Sequence, residues 1–60
     1  MKITFIYIVG SALESCTYEN VLKFKLKKGS ILKFWYRSNG KTKVVEEDLR
    51  NVKSFTVKGW

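Results

Sequence analysis

Lys33, Trp35 and Arg37 occupy alternating positions in this 60-residue chain, and Lys23, Lys25 and Lys27 show the same spacing ten residues earlier. Alternate side chains of an extended strand point the same way at intervals of about 6.6–6.8 Å, so each trio would form a row roughly 13 Å long. Such a cationic row can follow a phosphate backbone. The Trp35 indole between two cations adds a plane for stacking a base, a contact of roughly 1–3 kcal/mol that tolerates any sequence. Eight of the twelve Lys and Arg residues lie between Leu22 and Lys43, and no acid occurs between Glu19 and Glu46. Lys41 and Lys43 extend the positive stretch. If about five phosphates of a duplex were neutralised, log affinity would fall against log salt with a slope near −4.5. The same residues also admit a plainer role: alternating lysines suit any exposed sheet face and block strand-to-strand aggregation, and Trp35 can cover a core or an oligomer contact.

Enzymatic chemistry finds few parts here. The chain contains no histidine and therefore no imidazole base, and Cys16 has no evident activating partner. Glu46, Glu47 and Asp48 form the one acidic cluster, which beside Lys43 suggests magnesium-dependent phosphodiester cleavage as a remote alternative. Consecutive strand residues point to opposite faces, however, and acids at the start of a helical turn are favoured by its dipole alone. The expectation is a non-catalytic protein with no metal and no cofactor.

Length and charge narrow the class further. A chain this short makes one domain, residues 1–60, and buries only about 60% of the surface its unfolded form exposes. Neither a disulfide nor a Cys/His zinc site can reinforce the core, because Cys16 is the sole cysteine and histidine is absent. Self-association is the remaining remedy, so a homo-oligomer is expected. Cys16 itself is expected to be a small buried hydrophobe in a reducing, cytoplasmic setting. The net charge of +7 favours nucleic acid, anionic lipid or an acidic protein as partner. The opening MKITFIYIVGSA has the ingredients of a secretory signal, but its apolar run is short and rich in Thr and Tyr, and it is read as a strand. No segment is long and apolar enough for membrane insertion.

The elements follow from period and punctuation. Residues 2–9 are rich in β-branched and aromatic side chains, with Ile3, Phe5, Tyr7 and Val9 on one face and Thr4, Ile6 and Ile8 on the other. A strand apolar on both faces is either covered twice or placed at a subunit interface, which makes Ile6 and Ile8, with the terminal Trp60, the expected oligomer contact. Gly10 permits a reversal into a second strand. Residues 17–28 admit two readings: a helix capped by Thr17 and ending at Gly29, or a strand in which Leu22, Phe24 and Leu26 alternate with lysines. The strict period of two favours the strand. A further strand runs from Ile31 to Arg37, with Leu32, Phe34 and Tyr36 inward. Asn39-Gly40 then predicts a type I′ hairpin into residues 41–47. A short helical turn over EEDLRN should drop Leu49 and Val52 into the core, and in the last strand Val52 should share a face with Ser54 and Thr56. The fold class is thus mostly β, a five-stranded curved antiparallel sheet or small barrel with at most one short helix.

The run GSILKFWYRSNGKTKVVEEDL, residues 29–49, resembles the matching part of the small basic archaeal chromatin proteins, which have an SH3-like barrel. Gly29, Phe34, Tyr36 and Gly40-Lys41-Thr42 correspond if the hairpin loop is one residue shorter, and ITFIY is similar to that family's first strand. The resemblance implies a sheet lying across the DNA minor groove with apolar wedges at a base step. By position the wedge site would fall on Lys28 and Ile31, and the sheet contacts on Lys33 and Trp35. Leu26 and Val44 stand where the family has a groove-facing tryptophan and an arginine, and a strand stands in place of its C-terminal helix. The expected function is sequence-nonspecific binding of nucleic acid, DNA before RNA, by the basic hairpin surface. The alternative is a small interaction or inhibitor protein of the kind carried by phages and mobile elements, docking on a host protein.

Overall fold

The computed structural model describes residues 1–59. Its turns account for most of the topology. Asn39 (φ 53°) and Gly40 (φ 75°) both adopt the positive backbone angle that a type I′ reversal requires, and they join β4 (Ile31–Ser38) to β5 (Lys41–Asp48). At Gly10 (φ 64°) a second two-residue turn joins β1 (Lys2–Val9) to β2 (Ala12–Tyr18), with Val9 opposite Ala12. Between them lies β3 (Val21–Lys27), so the ambiguous segment is strand, as its period of two favours. A single 3-10 turn, Leu49–Asn51, precedes β6 (Ser54–Lys58).

All pairings are antiparallel, in two three-stranded sheets ordered β2-β1-β6 and β3-β4-β5. The mostly-β expectation holds. The strands number six instead of five, because β2 and β3 are separate hairpin arms, and the sheets do not close into a barrel. They face each other and are tied at one corner, where the Val21 N–H donates to the Met1 carbonyl at 2.9 Å and the Met1 amino group donates to the Val21 carbonyl at 3.2 Å.

The interior is small and aromatic. Ile3, Phe5, Val21, Leu32 and Phe34 are buried, and Tyr18, Tyr36, Phe24 and Phe55 close around them half-buried. The Phe5 and Phe34 rings meet between the sheets at 5.8 Å, and Tyr18 stands edge-on to Phe34 at 4.9 Å and to Tyr36 at 5.3 Å. Such ring pairs add about 0.5–1.5 kcal/mol each beyond the area they bury. Leu49 and Val52 pack against this core as expected. Val52 does not share a face with Ser54 and Thr56, which stay exposed, because the chain bends at Lys53 before β6 begins.

Among the inward-pointing residues, Cys16 and Leu26 stay uncovered, as does Val9 at the end of β1. Cys16 lies opposite Phe5 on the inner face, yet it is exposed and not the buried hydrophobe its type suggests. Leu26 lies opposite Leu32 and is 65% exposed. Each sits on an edge strand, β2 or β3. Leu22 is displaced for a different reason. A register shift between Val21 and Lys23 inserts it as a bulge, so Val21 takes the core position opposite Tyr36 while Leu22 remains half in solvent.

Candidate nucleic-acid interface

Burial of Leu32 and Phe34 sends their neighbours outward, so Ile31, Lys33, Trp35 and Arg37 line the solvent face of β4. Cross-strand register adds the flanks. On one side Lys27, Lys25 and Lys23 stand opposite Ile31, Lys33 and Trp35; on the other, Asp48, Glu46, Val44 and Thr42 stand opposite Ile31, Lys33, Trp35 and Arg37. The sequence-derived trios therefore do meet on one surface. At its centre the indole of Trp35 carries the Lys23 ammonium 4.5 Å and the Lys33 ammonium 5.1 Å from its ring centroid. These distances are within cation–π range.

The face is not uniformly positive. Lys27 and Glu46 form an ion pair at 3.5 Å with both side chains well exposed, a contact of about 0–1 kcal/mol. Asp48 accepts from the Arg50 N–H at 3.0 Å and from its guanidinium at 3.0 and 2.8 Å, which caps the 3-10 turn. Those hydrogen bonds hold the Asp48 carboxyl down at about 2. Among the described residues these are the two ion pairs. The end of the face near Ile31 is thus largely self-neutralised, while Lys23, Lys25, Lys33 and Arg37 share the face of Trp35 and form no ion pair among the described residues, Glu46 standing opposite Lys33 but paired with Lys27.

Other expected site residues fall elsewhere. Lys28 is in the β3–β4 turn, and Ile31 is half-buried between Lys27 and Asp48, so the proposed wedge pair does not form a protruding apolar edge. Lys41 and Lys43 point to the opposite side of β5 from Thr42 and Val44, with Lys43 opposite Tyr36. Glu47 likewise points inward, away from Glu46 and Asp48, and among the described residues no group of three acidic, Cys or His side chains is arranged to hold a metal. On the inner side, burial and the adjacent Glu47 carboxylate push the Tyr7 hydroxyl up to about 12. Ile6 and Ile8 lie on the solvent face of the other sheet, Ile6 half-buried and Ile8 59% exposed, and Trp60 lies outside the described residues.

Sequence reasoning missed Val44, which extends the apolar platform beside Trp35, and the two acids on the same face. The Asn39-Gly40 signal was sufficient to find them. A two-residue turn sets Ser38 against Lys41, and stepping outward from that pair assigns every partner along β5.

Comparison with protein families, characterised proteins and solved structures gives no match. No helix among the described residues is long and apolar enough to cross a membrane.

Proposed function

We propose that the solvent face of the β3-β4-β5 sheet binds nucleic acid without sequence specificity, with Lys23, Lys25, Lys33 and Arg37 on phosphates and Trp35 stacked on a base. One observation carries this reading: the outward indole has the Lys23 and Lys33 ammonium groups over its ring and Lys25 and Arg37 on the same face, and none of the four is in an ion pair among the described residues. Base stacking requires the lysines over the ring to move aside. The two exposed cation–π contacts are together worth about 1–2 kcal/mol, and a stacked base contributes roughly 1–3 kcal/mol. The exchange is near balance on the ring alone, and the phosphates that the displaced ammonium groups gain as new partners tip it toward stacking. Lys27 contributes less because its charge is shared with Glu46. With four phosphates engaged, the salt slope should be about −3.6 on duplex DNA and about −2.8 on a single strand.

The measurement is a salt titration of binding to single- and double-stranded oligonucleotides, for the parent chain and for the Lys33→Glu, Arg37→Glu double variant. Loss of binding in the variant supports the assignment. Full affinity in the variant at about 50 mM salt, or no affinity in the parent there, removes it.

A further inference from the structure

β2 (Ala12–Tyr18) is the outer strand of its sheet. An edge strand offers a row of unpaired N–H and C=O groups to any strand that can approach. The turn decides which residues carry that row. A two-residue reversal makes Val9 and Ala12 a hydrogen-bonded pair, so Ala12, Glu14, Cys16 and Tyr18 bond back to β1. Leu13, Ser15 and Thr17 therefore aim their backbone groups away from the sheet. The far side of β1 obeys the same alternation: Lys53 donates its N–H to the Ile6 carbonyl at 2.8 Å, from the residue set that does not serve β2.

The three other edges are each protected. β3 carries Lys23, Lys25 and Lys27 and a bulge at Leu22. β5 opens with Lys41 and Lys43 and closes with Glu46, Glu47 and Asp48, and β6 has only five residues, follows Lys53 and ends at Lys58. Lysines, bulges and short length are the usual means of keeping an edge from pairing. β2 has none of them. Its ladder to β1 runs unbroken, it contains no proline or lysine, Glu14 is its one charge, and all its residues except Tyr18 are exposed.

Charge points the same way. The whole stretch between Lys2 and Lys23 lacks a base, in a chain of net charge +7. Two such molecules repel over most of their surface, and β2 is where they can meet without bringing cations together.

We propose that β2 pairs with β2 of a second copy, antiparallel about a two-fold axis at Ser15, to give one six-stranded sheet. An axis perpendicular to the sheet sets one residue against itself. The register that uses all three outward residues is Ser15 opposite Ser15, with Leu13 opposite Thr17 of the second copy on each side. It also sets Glu14 against Cys16 of the second copy and not against its own like charge. Leu13, 61% exposed, and its partner Ile8 then lie beside the seam, where Thr17 of the second copy covers part of them.

Sedimentation and hydrogen exchange on the full chain, without nucleic acid, test this pairing. The expected result is a dimer in which the amides of Leu13, Ser15 and Thr17 slow as concentration rises. Ser15→Pro removes a donor that β1 does not use, and should weaken the dimer roughly tenfold or more while leaving the circular dichroism unchanged. Thr17→Lys places a cation at each end of the seam and gives the same loss without touching the backbone, which covers the case of a perturbed hairpin. A folded monomer at about 1 mM overturns the proposal. So does a dimer that survives Thr17→Lys, or one whose three amides exchange as fast as in the monomer, since either result means that another surface makes the contact.

Discussion

On the solvent face of the β2-β1-β6 sheet one row is Thr17, Thr4 and Thr56, the next is Ser15, Ile6 and Ser54, and Leu13 with Ile8 ends the hairpin. On the solvent face of the β3-β4-β5 sheet the corresponding rows are Lys23, Trp35 and Val44, then Lys25, Lys33 and Glu46. Both sheets have three strands and bury their other face on the same aromatic interior. A face that packing does not constrain is open to other demands. The first is uncharged over these rows, its cations Lys2 and Lys58 standing opposite each other one row beyond Thr4, and with the Thr4 and Thr17 hydroxyls linked at 3.0 Å it suits contact by shape and backbone; the second sets charge and a ring at its centre, which suits a polyanion. One shared core supporting two unlike surfaces implies that stability, the proposed self-pairing and the proposed nucleic-acid binding can be lost separately.

The strongest test of that separation contrasts neighbours on β4. Phe34→Ala empties the junction between the sheets and should cost about 3–5 kcal/mol, which is comparable to everything a core of this size supplies. Denaturant titration should therefore find the variant largely unfolded. Trp35→Ala, one residue along and facing water, should leave the fold standing with a loss near 1 kcal/mol, while nucleic-acid binding weakens by about 1–3 kcal/mol. Equal destabilisation by the two changes would erase the distinction between the faces.

A pH titration sharpens the comparison from the inner side. The Tyr7 hydroxyl is raised from its ordinary 10.0 to about 12, so the folded state holds this proton more tightly than the unfolded state does. Its contribution is intact below pH 10 and lost as pH rises through 12. Stability measured by denaturant should fall across that window, and Tyr7→Phe should flatten the fall. Asp48 acts in the opposite sense: its depressed carboxyl stabilises the fold above the ordinary carboxylate range, and that help fades as pH drops toward 2. The smallest effect concerns the neutralised end of the basic face. Glu46→Gln releases Lys27, so the duplex salt slope should steepen from about −3.6 toward −4.5, with stability changing by no more than about 1 kcal/mol.

Much of the candidate interface was legible before any coordinates. Lys23, Lys25, Lys33, Trp35 and Arg37 were assigned to one surface by alternation alone, and the structure puts them there. Lys41 and Lys43 were grouped with them by proximity along the chain, and the pleat sends them to the other side of β5. The Lys27–Glu46 pair joins residues 19 positions apart in sequence, across the intervening β4, and local pattern carries no signal for it. Cys16 was assigned by residue type, which reports what a side chain prefers and not whether a second layer reaches it.

Strand, turn and face are local geometry, and the sequence by itself determined them: period two places Lys33 and Phe34 on opposite sides, and Asn39-Gly40 sets the partners along its hairpin. Only the tertiary structure decided how far each inner face is covered. That depends on which inner positions of one three-stranded sheet are met by the other, a matter of packing among residues distant in the chain. Phe5 and Phe34 meet each other between the sheets and are sealed, while Cys16 and Leu26 point the same way and remain in water.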